Sequence, residues 1–155
     1  MKDILIKPTT SDDIPALRAV VNETELFPGD MLPEMLSPFL GGDGEAVWLT
    51  ALLDDKAVGL CFAVPEALTN GTWNMLALAV LPEHQGDGVG GALVKSLEDD
   101  LRSQGVRVLI ADTSGTEAFA LTRQFYVRCG YEKEARIRDF WDAGDDKVVF
   151  RKALA

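Results

Sequence analysis

Four glycines in six residues, Gly86, Gly88, Gly90 and Gly91, stand where the hydrophobic spacing of the chain changes. Before them, Thr72 to Leu81 is a short apolar run closed by Pro82, which reads as a strand. After them, Val89, Leu93, Val94, Leu97 and Leu101 recur at helical spacing, with Glu98-Asp99-Asp100 on the wet face. The amides at a helix N-terminus are unpaired and carry partial positive charge. Glycines let a ligand oxygen approach such amides closely. The run therefore reads as a phosphate cradle. A turn without a ligand would carry the entropic cost of four glycines for no gain.

The rest of the chain fits around this junction. Ile4-Leu5-Ile6 reads as a first strand. Ser11 can cap a helix with Ile14, Leu17, Val20 and Val21 on its apolar stripe. A second helical stretch runs from Asp30 to Leu40, broken by Pro33 and Pro38. Ala46–Leu53 and Lys56–Pro65 read as strands paired around Asp54-Asp55, and Asn70-Gly71 is a hairpin signal leading into Thr72–Leu81. After the long helix, Gly105 is a stop, Val106–Ala111 a buried strand, and Ala118 to Cys129 a helix stopped by Gly130. Tyr131–Trp141 and Lys147–Lys152 read as two last strands with a loop at 143–146. The order β-α-α-β-β-β-α-β-α-β-β predicts an α/β fold: a mixed, mostly antiparallel sheet with helices on both faces.

Composition narrows the function. A chain of 155 residues is the size of one domain, 1–155, and 47% hydrophobic residues argue against disorder. A net charge of −10 repels nucleic acid and anionic lipid; it suits a cationic partner such as an amine, and equally serves solubility alone. One histidine and two cysteines without a CxxC pair give no metal centre and no disulfide framework. No apolar run is long enough for a signal peptide core or a membrane span, so a cytoplasmic location is expected.

Three phosphate motifs compete for the glycine run. A P-loop fails because Ala92 and Leu93 follow Gly91 where lysine and a hydroxyl are needed. A dinucleotide fingerprint matches as Gly86, Gly88 and Gly91, with Asp112 about 20 residues on. Only one helix follows Asp112, however, too few for two βαβαβ halves, and Asp112 reads more simply as a solvated strand-end residue. The third match is Gln85-Gly86-Asp87-Gly88-Val89-Gly90, which resembles the Q/R-x-x-G-x-G/A acyl-CoA loop of the GNAT superfamily of N-acetyltransferases. Val80-Leu81-Pro82-Glu83-His84 is similar to that family's V-x-P-x-x stretch, and Phe125-Tyr126-Val127-Arg128-Cys129-Gly130-Tyr131 to its tyrosine helix. The element order agrees, so the resemblance covers essentially the whole chain.

The resemblance implies an acetyl-CoA-dependent N-acetyltransferase acting on a small-molecule or peptide amine, by direct transfer in a ternary complex. It implies that the backbone of Leu78, Ala79 and Val80 holds pantetheine and thioester. The amides of Gln85, Gly86, Asp87, Gly88, Val89, Gly90 and Gly91 would hold the pyrophosphate. Tyr126 would protonate the leaving thiolate; its other reading is a core-edge aromatic beside Phe125. A homodimer is suggested by analogy with the family.

This sequence also departs from the pattern. Phe119 stands where many GNATs carry an asparagine, and would pack on the cofactor instead. Arg123 is an alternative polar contact, able to pair with a 3′-phosphate or to serve as a solvated helix charge. The strand Trp73-Asn74-Met75-Leu76-Ala77-Leu78-Ala79 lacks the glutamate many GNATs use as base. Glu23, Glu66, Asp139 and solvent stay open for that role. Trp141, beside the 143–146 loop, is the expected acceptor contact, and Asn74 either faces the acceptor too or is a strand polar group on a wet face. The missing acid leaves a catalytically silent acyl-CoA binder as the alternative.

Overall fold

The computed structural model describes residues 3–155. The strands are β1 (Ile4–Pro8), β2 (Val47–Leu53), β3 (Lys56–Pro65), β4 (Thr72–Val80), β5 (Val108–Ser114), β6 (Glu132–Asp142) and β7 (Asp145–Ala153). The helices are α1 (Ile14–Glu23), α2 (Leu32–Leu40), α3 (Val89–Ser103) and α4 (Ala120–Arg128). The strands order as β1-β2-β3-β4-β5-β7-β6, and β4–β5 is a parallel junction in a mostly antiparallel, mixed α/β sheet. The chain divides into two compact units: residues up to Val64 with Leu76–Asp100, and Pro65–Met75 with Leu101–Ala155. Both β4 and α3 run through the two.

In the first unit, β2 pairs antiparallel with β1 and β3. Asp54 and Asp55 turn the β2–β3 hairpin with φ of 49° and 69°, a left-handed pair that short polar side chains tolerate. The core joins Leu17, Val20 and Val21 of α1 and Leu32 and Leu36 of α2 to Trp48, Leu60, Ala77 and Ala79 of the strands. Neighbouring strand residues face opposite sides of a sheet. Leu60 meets α1 and α2, whereas a Cβ on Gly59 would lie 3.3 Å from Leu93 of α3 and 3.0 Å from the Ala79 carbonyl. Helices therefore cover both faces here, and Gly59 permits the close approach of β4 and α3.

Two local expectations are corrected. Ser11 does not cap α1: it lies inside a short 3₁₀ turn, Ser11–Asp13, whose cap is Thr10, and Asp13 holds the cap position of α1. Asp13 N–H donates to the Thr10 carbonyl at 3.0 Å and Thr10 N–H to Asp13 Oδ2 at 2.8 Å. Neither proline breaks α2. Pro33 sits in the first turn, where no amide partner exists, and Pro38 lies two residues from the end, where the lost bond costs least.

In the second unit, β5 pairs with β4 from Thr72↔Val108 to Met75↔Ala111 and with β7 along its whole length. Strand β5 starts two residues later and ends three later than the sequence suggests. Val106 N–H closes back on the Leu101 carbonyl and Gly105 N–H on Arg102, a Schellman ending that Gly105 permits with φ of 82°. Val106 thus belongs to the end of the preceding helix. The same ending recurs after α4, where Tyr131 N–H meets the Tyr126 carbonyl and Gly130 has φ of 91°. The supposed 143–146 loop is a tight turn, since Asp145 and Asp146 already belong to β7.

Burial pushes the Asp13 carboxyl up, but the Lys7 ammonium and the Thr10 amide outweigh it and hold it below the ordinary 3.8. Its contribution is therefore present above that value and is lost as pH falls through the lower folded one. Asp13→Asn is expected to unfold more easily at pH 7 and to show a flatter loss of stability as pH falls below about 4 in urea titrations.

Candidate functional site

The glycine-rich turn belongs to the first unit. Leu81 N–H donates to the Val58 carbonyl at 2.9 Å, which ties the end of β4 to β3. A 3₁₀ turn, Pro82–His84, follows, and the Gln85 side chain folds back so that Nε2 donates to the Val80 carbonyl at 3.0 Å. Gln85 is thus a strap across the turn. Gly86 and Gly88 have φ of 91° and 89°, a backbone region that side chains rarely adopt. A Cβ on Gly86 or Gly91 would meet nothing within 4 Å, so the space beside them is open.

The turn leaves a row of amides without partners. Ala92 N–H reaches back to the Gly88 carbonyl at 3.1 Å. The amides of Gly86, Gly88, Val89, Gly90 and Gly91 meet no backbone acceptor among the described residues. They lead into a helix of 15 residues, whose dipole adds positive potential at that end. Asp87 and Gly88 are exposed and Val89 is buried. On β4, Leu78 is half-buried, and Ala79 and Val80 are buried. His84 Nδ1 lies 3.4 Å from Asp87 Oδ2 on the rim of the turn.

The tyrosine helix belongs to the second unit. Tyr126 is 5% exposed and packs against Phe125, Tyr131 and Phe150, with ring centroids 5.3–5.8 Å apart. Its ring is a core member in its own right. Phe119 is 44% exposed, at the end of the 3₁₀ turn before α4. Arg123 Nη1 donates to the carbonyls of Ser114 at 2.8 Å and Thr116 at 2.7 Å. That nitrogen is engaged in closing the β5–α4 turn.

A polar cluster sits in the same unit where the β4–β5 pairing ends. Asn74 is 6% exposed, and its Nδ2 donates to Asp112 Oδ2 at 3.3 Å. Lys147 Nζ is also 3.3 Å from that oxygen and lies 4.4 Å from the centre of the Phe140 ring. Trp141, half-exposed, stands edge-on to Phe140, and its Nε1–H donates to the Thr113 carbonyl at 3.3 Å. The structure thus brings Asn74 and Trp141 to one cluster. Asp112 corrects the sequence reading: β5 runs on to Ser114, so this acid lies inside a strand and its side chain is mostly buried. An acid among Leu109-Ile110-Ala111 was the available signal.

Other candidates are structural. Cys61 is buried, and desolvation pushes its thiol up to about 12, which leaves no thiolate for nucleophilic work. Asp139 has φ of 54°, and its Oδ1 accepts from Gly144 N–H at 2.9 Å within the β6–β7 hairpin. The Asp139 amide and the Arg136 guanidinium hold the Asp146 carboxyl below its ordinary value, which fixes the same hairpin. Among the described residues no cluster of three metal-binding side chains occurs, and no helix is long and apolar enough to cross a membrane.

A sequence profile of the acetyltransferase (GNAT) family matches residues 14–131. The chain belongs to the GNAT family. A crystal structure described as a GNAT acetyltransferase from Desulfovibrio desulfuricans is 32% identical, with a TM-score of 0.90 over 99% of this chain and 100% of that one. An uncharacterised N-acetyltransferase of Methanocaldococcus jannaschii is 25% identical over 96% of this chain and 91% of its own. A Salmonella typhimurium acetyltransferase structure, solved with acetyl-CoA, shares the fold at 18% identity, with a TM-score of 0.79 over 98% and 94% of the two chains. In this GNAT the glycine turn and the tyrosine helix both fall within the matched span.

Two substitutions separate the packing of Tyr126 from its hydroxyl. Tyr126→Ala is expected to cost about 3 kcal/mol or more in chemical denaturation, the range for emptying a buried aromatic site. Tyr126→Phe is expected to stay within about 1.5 kcal/mol of the parent.

Proposed function

We propose that this chain acts as a single N-acetyltransferase domain that moves an acetyl group from acetyl-CoA to a primary amine. The observation that carries the reading is the set of amides of Gly86, Gly88, Val89, Gly90 and Gly91 at the start of α3, which meet no backbone acceptor among the described residues. Such a set suits a pyrophosphate, whose oxygens accept several N–H bonds at once. The family match and the acetyl-CoA seen in a structural neighbour support that choice of anion.

The residues take these parts. The amides of Gly86, Gly88, Val89, Gly90 and Gly91 bind the pyrophosphate, whereas those of Gln85 and Asp87, also expected from the sequence, are taken up by the Pro82 and His84 carbonyls, and the Gln85 side chain straps the turn. The backbone of Leu78, Ala79 and Val80 pairs with the pantetheine arm as an added strand would. One of its amides stabilises the oxyanion that forms when the amine nitrogen attacks the thioester carbon. The new C–N bond forms as the C–S bond breaks. Tyr126 gives its hydroxyl proton to the departing sulfur and regains one from water, while the amine nitrogen releases its surplus proton to solvent. Phe119 offers an exposed ring to the cofactor, and Arg123 fixes the turn beside it. Asn74 and Trp141 face the acceptor.

Calorimetric titration with acetyl-CoA, CoA and NAD tests the assignment. Micromolar binding of acetyl-CoA and CoA but not NAD is expected, with loss in a folded Gly88→Glu, Gly90→Glu variant. Absence of CoA binding by the folded parent would overturn it. Steady-state thiol release with a panel of primary amines separates an enzyme from a silent binder. Tyr126→Phe is expected to lower kcat by about 10²-fold or more at unchanged acetyl-CoA affinity.

A further inference from the structure

Asn74 and Asp112 leave two oxygen acceptors sealed from water with no donor. An ionised carboxylate can only accept, so the Asn74 amide must turn its nitrogen to Asp112 and its oxygen away. Asn74 Oδ1 and Asp112 Oδ1 are then buried without a hydrogen-bond partner among the described residues. Native proteins rarely leave one such atom, and here two belong to side chains in contact. The two acceptors call for donors that the described residues do not supply.

The neighbours say what kind of donor fits. The Lys147 ammonium already rests on Asp112 Oδ2 and over the Phe140 ring, 4.4 Å from its centre. A carboxylate beside an aromatic face selects an alkylammonium over neutral or anionic groups. The pair is largely desolvated, with 20% of the Lys147 side chain and 14% of Asp112 exposed. Phe140 and Trp141 are each about half exposed, so the aromatic side of the cluster opens to solvent.

We propose that Asp112, Asn74 and Phe140 form a subsite for an ammonium group of the acceptor other than the amine that attacks, and that Lys147 occupies it until the acceptor displaces it. The word acceptor rests on the acetyltransferase reading above; the cation subsite itself does not. An ammonium group carries three N–H donors and can serve Asp112 Oδ1, Asp112 Oδ2 and Asn74 Oδ1 together. Lys147, on a flexible four-carbon stem, is the member able to withdraw and uncover the two sealed oxygens. The site favours amines without a nearby carboxylate, which Asp112 would repel.

The first test needs no acyl donor. In Lys147→Met the resident charge is gone while the aliphatic stem stays. At constant ionic strength, 10 mM 1,5-diaminopentane is expected to raise the Tm of this variant by about 3 °C or more, by mass action on the folded state. The parent, and the double variant Asp112→Asn, Lys147→Met, should shift by less than about 1 °C under the same conditions. 1,5-Pentanediol should shift none of them. Equal shifts in all three proteins, or none in Lys147→Met, would overturn the subsite. Should Lys147→Met fail to fold, calorimetry of the diamine against the parent and Asp112→Asn decides, with weaker binding by Asp112→Asn expected and equal binding overturning the proposal. The second test uses whichever primary amines release thiol with the parent. Asp112→Asn is expected to lower kcat/KM for cationic amines about tenfold or more through KM, with acetyl-CoA affinity unchanged. An unchanged KM would reject the acceptor role. A parent that binds no acetyl-CoA would sink the enzyme reading and leave the diamine result standing.

Discussion

The unpaired amides at the start of α3 are the interaction on which the rest of this structure turns. A helix cannot satisfy its own first N–H groups. Many helices are preceded by a turn that closes on a capping side chain, as the 3₁₀ turn leading into α1 does with Thr10 and Asp13. Helix α3 instead follows a turn of glycines, two of them at positive φ, with open space beside Gly86 and Gly91. The difference between the two helix starts is chemical. The turn before α1 is closed by a carboxylate of the chain, whereas the glycine turn has no such side chain on its amides, and the proposed anion would take that place. The Gln85 side chain on the Val80 carbonyl and Leu81 on Val58 brace that second start against β3 and β4.

The second unit is organised by a different constraint. Its parallel β4–β5 junction pairs only four residues of each strand, ending at Met75 and Ala111. Asn74 and Asp112 lie at that end, and neither has enough hydrogen-bond partners for its burial. Elsewhere in the unit Tyr126 packs edge-on to Tyr131 and tilted against Phe150, and the Arg123 guanidinium closes the turn after β5. Buried polar atoms without partners are where binding chemistry is expected.

Much of this was legible in the sequence, because the signals were strong and local. The change from strand to helix spacing at Pro82–Val89 and the stops at Gly105 and Gly130 needed no tertiary information. Together with the helical stripe of Ile14 to Val21 and the turns at Asp54-Asp55 and Asn70-Gly71, they give the element order that the structure shows among the described residues. What failed depended on hydrogen bonds a few residues away. Thr10 caps the turn before α1, with Ser11 inside it, because Asp13, three residues on from Thr10, could complete the reciprocal bond. Val106 joined a helix ending because Gly105 allowed the chain to close on Leu101. The candidate site was legible in its glycine run and its tyrosine, since both lie in contiguous motifs. Asp112 was not, because its meaning comes from Asn74 and Lys147, which are distant in sequence and meet it only through strand pairing.

The central claim is that the amides of the glycine turn hold a pyrophosphate. Backbone ¹⁵N–¹H spectra of the parent protein, titrated with CoA and separately with pantetheine, address it directly. The account predicts that the resonances of Gly86, Gly88, Val89, Gly90 and Gly91 move strongly with CoA and stay in place with pantetheine, which lacks the pyrophosphate. Resonances of the turn that ignore CoA, or that respond equally to both ligands, would contradict it.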